Sequence, residues 1–358
     1  MSEKRPLRVL VIDDSAYSRR TIVQLLERSP LIEVVDVARD GEEALRKALT
    51  LDLDLITLDL EMPRMDGFTL LRMLMAQKPT PVLVVSGLGG KDDVWKALEL
   101  GAVDFVTKPT RRAAPELATI EAELLAKVLA ARELRIDRVR DRLQHRPLVA
   151  RMGRAKSAPR VVAVGASTGG PAALLQLFAA ISAPGSCAFV VAQHMPEGFT
   201  RSFAERLART TAFAAREAES GMPLEPGTIL IAPGGRHLEL EAQGAGVVAR
   251  VALAEAPDRF APSVDRLFAS AAKCYGPDLL AVVLTGMGDD GAQGALAVKQ
   301  HGGNVIAESE ETAVVFGMPR QAVRIGAVDA VLPLHAIPEA IQNGFARESA
   351  KRGGKVHE

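Results

Sequence analysis

Polar residues recur in this chain at the ends of short apolar runs, and their types suit phosphate chemistry. Asp13 and Asp14 follow the run 8–12, Asp59 follows 55–58, Ser86 follows 82–85, and Lys108 with Pro109 follows 103–106. If those runs are strands of one parallel sheet, all of these side chains share its carboxyl edge, where open α/β sheets bind ligands. Converging carboxylates make an oxygen-rich site suited to Mg²⁺. Asp59 can attack a phosphoryl donor as a carboxylate nucleophile. Lys108 and a metal then neutralise charge, and Ser86 can hydrogen-bond a phosphoryl oxygen. An acidic pair alone would be read as a helix cap; the polar groups at the other strand ends need a further reason.

A different chemistry lies beyond residue 160. Gly165-Ala166-Ser167-Thr168-Gly169-Gly170-Pro171 follows the apolar run 161–164, and Pro171 suits a first helical turn. Glycines permit the tight turn, and free N–H groups at a helix start can stabilise an oxyanion beside Ser167. A serine hydroxyl is a weak nucleophile without a base. His194, after the run 188–192, is the best-placed base, and Asp289 or Asp290, after 280–284, can orient it. G-x-S-x-G by itself is a modest signal, because glycine-rich turns also cradle phosphates. The order Ser…His…Asp differs from that of α/β-hydrolases, chymotrypsin and subtilisin.

The elements that must position these groups alternate. Strand-like runs at 8–12, 34–38, 55–58, 82–85 and 103–106 are separated by helical patterns at 16–28, 41–49, 67–77 and 92–100. Such alternation implies parallel strands with right-handed crossovers, and near-continuous apolar strands imply a sheet covered on both faces. The size is flavodoxin-like. A helix follows from 115 to 131. Arginines then cluster between 132 and 160 among Pro147, Gly153 and Pro159, which reads as a solvated tether or as a basic surface for an acidic partner. The second part again alternates, with strand-like runs at 161–164, 188–192, 228–232, 280–284, 304–307 and 330–332, and a hairpin at 239–253. The expected fold class is therefore α/β: a flavodoxin-like domain over 6–125, a linker over 126–158, a doubly wound, mostly parallel hydrolytic domain over 159–345, and a frayed tail over 346–358.

Composition bounds the rest. The chain has 358 residues, 44 basic and 44 acidic, for a net charge of +0, which argues against a nucleic-acid-binding output. Two cysteines, Cys187 and Cys274, are too few for a disulfide framework, and a reducing, cytoplasmic setting is expected. No apolar stretch reaches the roughly 18–20 residues of a membrane span. No C-x-x-C or H-E-x-x-H pair suggests zinc. Trp95, the sole tryptophan, lies in a helical pattern and reads as packing; His237 and His301 read as structural.

Two resemblances tie these pieces together. Val11-Ile12-Asp13-Asp14-Ser15, Leu58-Asp59-Leu60-Glu61-Met62-Pro63 with Asp66-Gly67, and Asp104-Phe105-Val106-Thr107-Lys108-Pro109 resemble response-regulator receiver domains. That resemblance implies phosphorylation of Asp59 by a histidine kinase of the CheA type. It implies Mg²⁺ bound by Asp13, Asp14, Asp59 and the Glu61 carbonyl, switching through Ser86 and Phe105, and a cis bond before Pro109. Phe105 serves equally well as plain core. The loop Ser86-Gly87-Leu88-Gly89-Gly90 departs from the Ser/Thr-rich pattern there. The second half resembles the CheB family of chemotaxis protein-glutamate methylesterases. The matching text is 165–171, Gln193-His194-Met195, Ile231-Ala232-Pro233-Gly234, Pro262-Ser263-Val264-Asp265, Leu284-Thr285-Gly286-Met287-Gly288 with Asp290-Gly291, and Val315-Phe316-Gly317-Met318-Pro319.

By position, the resemblance implies Ser167 as nucleophile, His194 as base and Asp290 as its orienter, Asp289 being the rival. It implies Thr168 as an active-site neighbour and the Met287 N–H as an oxyanion donor. The substrates implied are methylated glutamates of methyl-accepting chemoreceptors, with deamidation of receptor glutamines by the same groups and no cofactor for hydrolysis. The receiver is expected to cover the hydrolase edge until Asp59 is phosphorylated. Two other classes compete: a non-catalytic phosphate sink whose second domain only docks to partners, and a transcription regulator, for which no basic helix-turn-helix is found.

Overall fold

A computed structural model describes residues 5–87, 91–108, 114–134, 136–137, 139, 161–181, 187–244, 246–256 and 258–342. The amino-terminal part runs β1 (Leu7–Ile12), α1 (Ala16–Leu26), β2 (Ile32–Ala38), α2 (Gly41–Thr50), β3 (Leu55–Leu58), α3 (Gly67–Gln77), β4 (Val82–Ser86), α4 (Lys91–Glu99), β5 (Asp104–Thr107) and α5 (Ala114–Ala130). Its strands pair in parallel in the order β2-β1-β3-β4-β5. Strands β3, β4 and β5 are buried at every residue, as a sheet with helices on both faces requires. Local sequence starts each helix: Ser15, Asp40 and Asp66 accept backbone N–H groups at the starts of α1, α2 and α3. The cap of α1 is thus Ser15, which leaves Asp13 and Asp14 free of that task.

The second part runs β6 (Val161–Ala166), α6 (Gly170–Ala179), β7 (Ala188–Gln193), α7 (Phe199–Thr210), β8 (Ala214–Glu217), β9 (Thr228–Ile231), β10 (Arg236–Gln243), β11 (Gly246–Leu253), α8 (Val264–Tyr275), β12 (Leu279–Val283), α9 (Ala292–Gln300), β13 (Asn304–Glu308), α10 (Met318–Arg324), β14 (Ala330–Leu332) and α11 (Ile337–Gln342). Seven strands form a parallel sheet in the order β14-β13-β12-β6-β7-β9-β8, and β10 and β11 make a separate antiparallel hairpin. Chain order reverses at β6, where β7 lies to one side and β12 to the other. The carboxyl ends of β12, β6 and β7 therefore flank a switch-point crevice.

Two findings depart from the sequence reading. Strand β8 and helix α11 were not anticipated: Ala-Ala-Arg-Glu has no apolar run because it is a sheet edge, and α11 is only a turn and a half long. The start of the linker is packed rather than solvated where it is described: Val139 is buried with Val103, Val314 and Val315. The rest of the linker, the loop 88–90, the tail 346–358 and Pro109 with its expected cis bond lie outside the described residues. A cis bond is present at Ala261–Pro262.

One hydrophobic core runs across both halves, and it contains Trp95 and Phe105 together with Phe199 and Phe203. The two sheets meet where α4 lies on α7. There the Lys91 Nζ donates to the Gly198 carbonyl at 2.9 Å and the Trp95 indole N–H donates to Ser202 Oγ at 2.7 Å. Glu99 pairs with Arg206. The Phe105 ring faces Phe199 at a centroid distance of 4.6 Å, and Trp95 faces Phe203 at 5.2 Å.

Candidate active site and phosphoacceptor site

Each sequence-marked residue of the first site sits at a strand end of the amino-terminal sheet. Asp13 and Asp14 follow β1, Asp59 follows β3, Ser86 ends β4 and Lys108 follows β5. Asp13, Asp14 and Asp59 each offer a carboxylate oxygen, and these atoms lie within 4.8 Å of one another. The Lys108 Nζ stands 2.5 Å from Asp59 Oδ2 and 3.1 Å from Asp13 Oδ2. Asp13 Oδ2 is buried and faces the Lys108 ammonium inside the cluster. Three carboxylates converging at one sheet edge are the donor set that a hard divalent cation with oxygen ligands takes. Burial raises the Asp59 carboxyl to about 6; Lys108 opposes the rise and Asp13 adds to it. Asp13 is raised for the same first reason. For Lys108 burial works downward, but Asp59 and Asp13 outweigh it and hold the ammonium charged. The Glu61 N–H donates to Asp59 Oδ1 at 3.3 Å. Ser86 is buried beside this edge. Phe105 is buried too, but its ring belongs to the junction with the second sheet.

The second site gathers on the three adjacent strands at the switch point. Ser167 leaves β6, His194 leaves β7, and Asp290 lies on the loop after β12. The His194 Nδ1 is 3.1 Å from Ser167 Oγ, and Nε2 is 2.8 Å from Asp290 Oδ2. The carboxylate can only accept, so the imidazole carries its proton on Nε2 and presents the Nδ1 lone pair to the serine hydroxyl. Asp290 also accepts from the Val264 N–H at 2.7 Å, the Asp265 N–H at 2.9 Å and Ser263 Oγ at 3.1 Å. It therefore sits on the amino end of α8, where free N–H groups and the helix dipole favour a negative charge. Burial pushes the Asp290 carboxyl up, but the hydrogen bond and charge of His194 and these backbone donors outweigh it, leaving it below the ordinary carboxylate range. Asp289, the rival, is exposed and pairs with Arg259 at 3.5 Å.

Supporting residues that the sequence did not reveal complete the site. The buried Gln193 donates both amide hydrogens, to the Ser167 and His194 carbonyls, at 3.0 Å each. Asp265 accepts from Gly291 and Gly294 at the start of α9 while Asp290 caps α8, a reciprocal exchange that locks the two helices. Ser263 caps α8, and its hydroxyl also reaches Asp290. Gly286 lies so close to Ser167 that a Cβ there would be 2.8 Å from Ser167 Cβ and 2.3 Å from Met318 Sδ. The exposed Met287 follows directly in the chain, and the Thr168 carbonyl accepts from Thr285 Oγ1 at 3.0 Å. The buried His237 bridges Asp258 and the Ser263 N–H, and the exposed His301 bonds the Ala297 carbonyl, so both serve the scaffold.

The fold and the two clusters define a class: a receiver-type sheet with a carboxylate–lysine cluster at its carboxyl edge, joined to an α/β sheet bearing a Ser–His–Asp chain. Comparison with known proteins agrees. Residues 9–118 match the response regulator receiver domain family and residues 162–341 match the CheB methylesterase family. A protein-glutamate methylesterase/protein-glutamine glutaminase of Geobacter sulfurreducens is 48% identical, over 94% of this chain and 97% of its own length. One from Anaeromyxobacter dehalogenans is 50% identical, over 97% of each chain. The Thermotoga maritima CheB methylesterase catalytic domain is 43% identical, covering 52% of this chain and 98% of that one, with a TM-score of 0.49. The chain belongs to the CheB methylesterase family, carboxylic-ester hydrolases, and carries a response-regulator receiver domain ahead of the enzyme domain. Among the described residues no helix is long and apolar enough to cross a membrane.

Proposed function

We propose that this enzyme hydrolyses glutamate methyl esters on chemoreceptors, and deamidates receptor glutamines, when a CheA-type histidine kinase phosphorylates Asp59. The observation that carries the reading is the continuous chain from Ser167 Oγ through His194 to Asp290, at 3.1 and 2.8 Å. His194 Nδ1 takes the Ser167 proton as Oγ attacks the ester carbonyl. The Met287 N–H serves as donor to the developing oxyanion, beside Thr168. The C–O bond then breaks, the imidazolium protonates the departing methoxide, and methanol leaves an acyl-serine. Water, deprotonated by His194, attacks the acyl carbon and releases the glutamate carboxylate. With a glutamine substrate the same steps release ammonia.

The switch rests on the first sheet. Asp13, Asp14, Asp59 and the Glu61 carbonyl would hold Mg²⁺, which when bound supplies positive charge against phosphoryl oxygens. Asp59 attacks the phosphorus of a phosphohistidine, an O–P bond forms as the N–P bond breaks, and Lys108 stays beside the new acyl phosphate. Ser86 and Phe105 are placed to pass the change on, the latter through its ring contact with Phe199 at the start of α7. Because α7 begins just beyond the His194 loop, parting α4 from α7 would uncover that edge of the site. The test is turnover with a small phosphodonor and Mg²⁺. Asp59→Asn protein should stay at its basal rate of methanol and ammonia release; equal stimulation of mutant and wild type refutes gating through Asp59.

A further inference from the structure

His194 is hydrogen-bonded at both ring nitrogens, whose lone pair and N–H point along the plane of an imidazole. The two bonds fix the ring along the line joining its nitrogens but resist tilting about that line only weakly, because hydrogen-bond energy changes slowly with small out-of-plane angles. A second ring supplies the missing restraint. Phe260 lies against His194 at a centroid distance of 4.6 Å and an interplanar angle of 4°. Phe260 belongs to no helix or strand, yet its loop is tied down on both sides. On one side the Ala261 carbonyl accepts from the Gly235 N–H at 3.1 Å, and Ser263 bonds Asp290. On the other, the Arg259 guanidinium sits 5.3 Å from the Phe260 ring centroid and pairs with Asp289, the neighbour of Asp290. A cleft of about 410 Å³ opens beside this loop, lined by Arg259, Phe260, Asp290 and Arg324.

We infer that Phe260 is a positioning residue for the base: its ring backs the imidazole, keeps Nδ1 aimed at Ser167 Oγ, and shields that face from the water of the adjoining cleft. This rests on the reading of Ser167, His194 and Asp290 as the hydrolytic chain. Parallel aromatic contacts are directional, and an aliphatic side chain of similar bulk fills the space without the flat surface. Misaimed proton transfer lowers turnover rather than substrate affinity, so the loss should fall on kcat.

The test uses the full chain, activated by a small phosphodonor and Mg²⁺, with Phe260→Leu and Phe260→Tyr. Two substrates are compared: methylated receptor, and p-nitrophenyl acetate, which needs no receptor docking. Phe260→Leu should lose about tenfold in kcat with KM within about twofold, on both substrates, and Phe260→Tyr should recover to within about twofold of wild type. The His194 ring protons, assigned by NMR with His194→Gln, should show an upfield ring-current shift in wild type and Phe260→Tyr that disappears in Phe260→Leu. An unchanged kcat in Phe260→Leu, a loss confined to KM, equal losses in Leu and Tyr variants, or no ring-current shift in wild type would each overturn the inference. Wild-type protein that turns over the acetate through Ser167 but not the receptor ester would defeat the proposed substrate while leaving the stacking inference to stand or fall on the acetate data.

Discussion

Ser202→Ala probes the junction between the two sheets without touching either cluster of reactive groups. In the closed arrangement the fully buried Trp95 has its indole N–H on Ser202 Oγ at 2.7 Å. Removing the hydroxyl leaves that donor buried and unpaired, at a cost of about 1–3 kcal/mol. Once α4 and α7 part, water satisfies the indole and the cost disappears. The substitution therefore biases the closed-to-open ratio toward open by about 5- to 150-fold. If the open form is a minor species and alone admits substrate, methanol release without phosphodonor rises by the same factor, up to the rate of the phosphorylated wild type. Trp95 is the only tryptophan, so its emission reports the junction on the same samples. It should shift to the red as the indole meets water. A red shift with no gain in basal turnover, or a gain with no shift, would refute the link between this junction and access to Ser167.

Asp290→Asn should lower kcat by about 10³–10⁴ by spoiling the tautomer of His194. Because the Asp290 carboxyl is held below its ordinary value of 3.8, the unfolded chain binds its proton first as pH falls. Its stabilisation is therefore complete above about pH 4 and is lost as pH drops through the folded value; urea midpoints measured from pH 5 downward should fall less steeply in Asp290→Asn than in wild type. Gln193→Leu removes both donors that tie the Ser167 and His194 carbonyls together, and calorimetry should show the second domain melting about 2–8 °C lower. Gly286→Ala forces a methyl against Ser167 Cβ and Met318 Sδ, and displacement of the nucleophile should reduce turnover by about 10² or more with the fold retained, as read by circular dichroism.

The α/β class was legible because most strands are unbroken apolar runs; β3 and α3 coincide with the residues marked in the sequence. Elements without such a run escaped: β8 is an edge strand with alternating exposure, and α11 is short and proline-bearing. Ser167, His194 and Asp290 each stand out by type and by their place after an apolar run. Their convergence depends on β12, β6 and β7 being neighbours, which the chain order conceals because β12 comes long after the other two. The supporting shell is the least legible part. Gln193 ends a strand where its amide looks like any polar terminus, and Phe260 lies in a loop with no periodic signal. Trp95 reads correctly as a packing residue, but nothing in a helical pattern tells which domain it packs against. The same is true of Val139, whose arginine-rich surroundings point to solvent while the side chain itself is buried between the two halves.

The most direct measurement is methanol released from methylated chemoreceptor by wild type and Ser167→Ala, each with Mg²⁺ and a small phosphodonor and each without. The account predicts release by wild type that rises on phosphorylation, and none above background from Ser167→Ala although its Asp59 still takes up phosphate. Undiminished release by Ser167→Ala would contradict it.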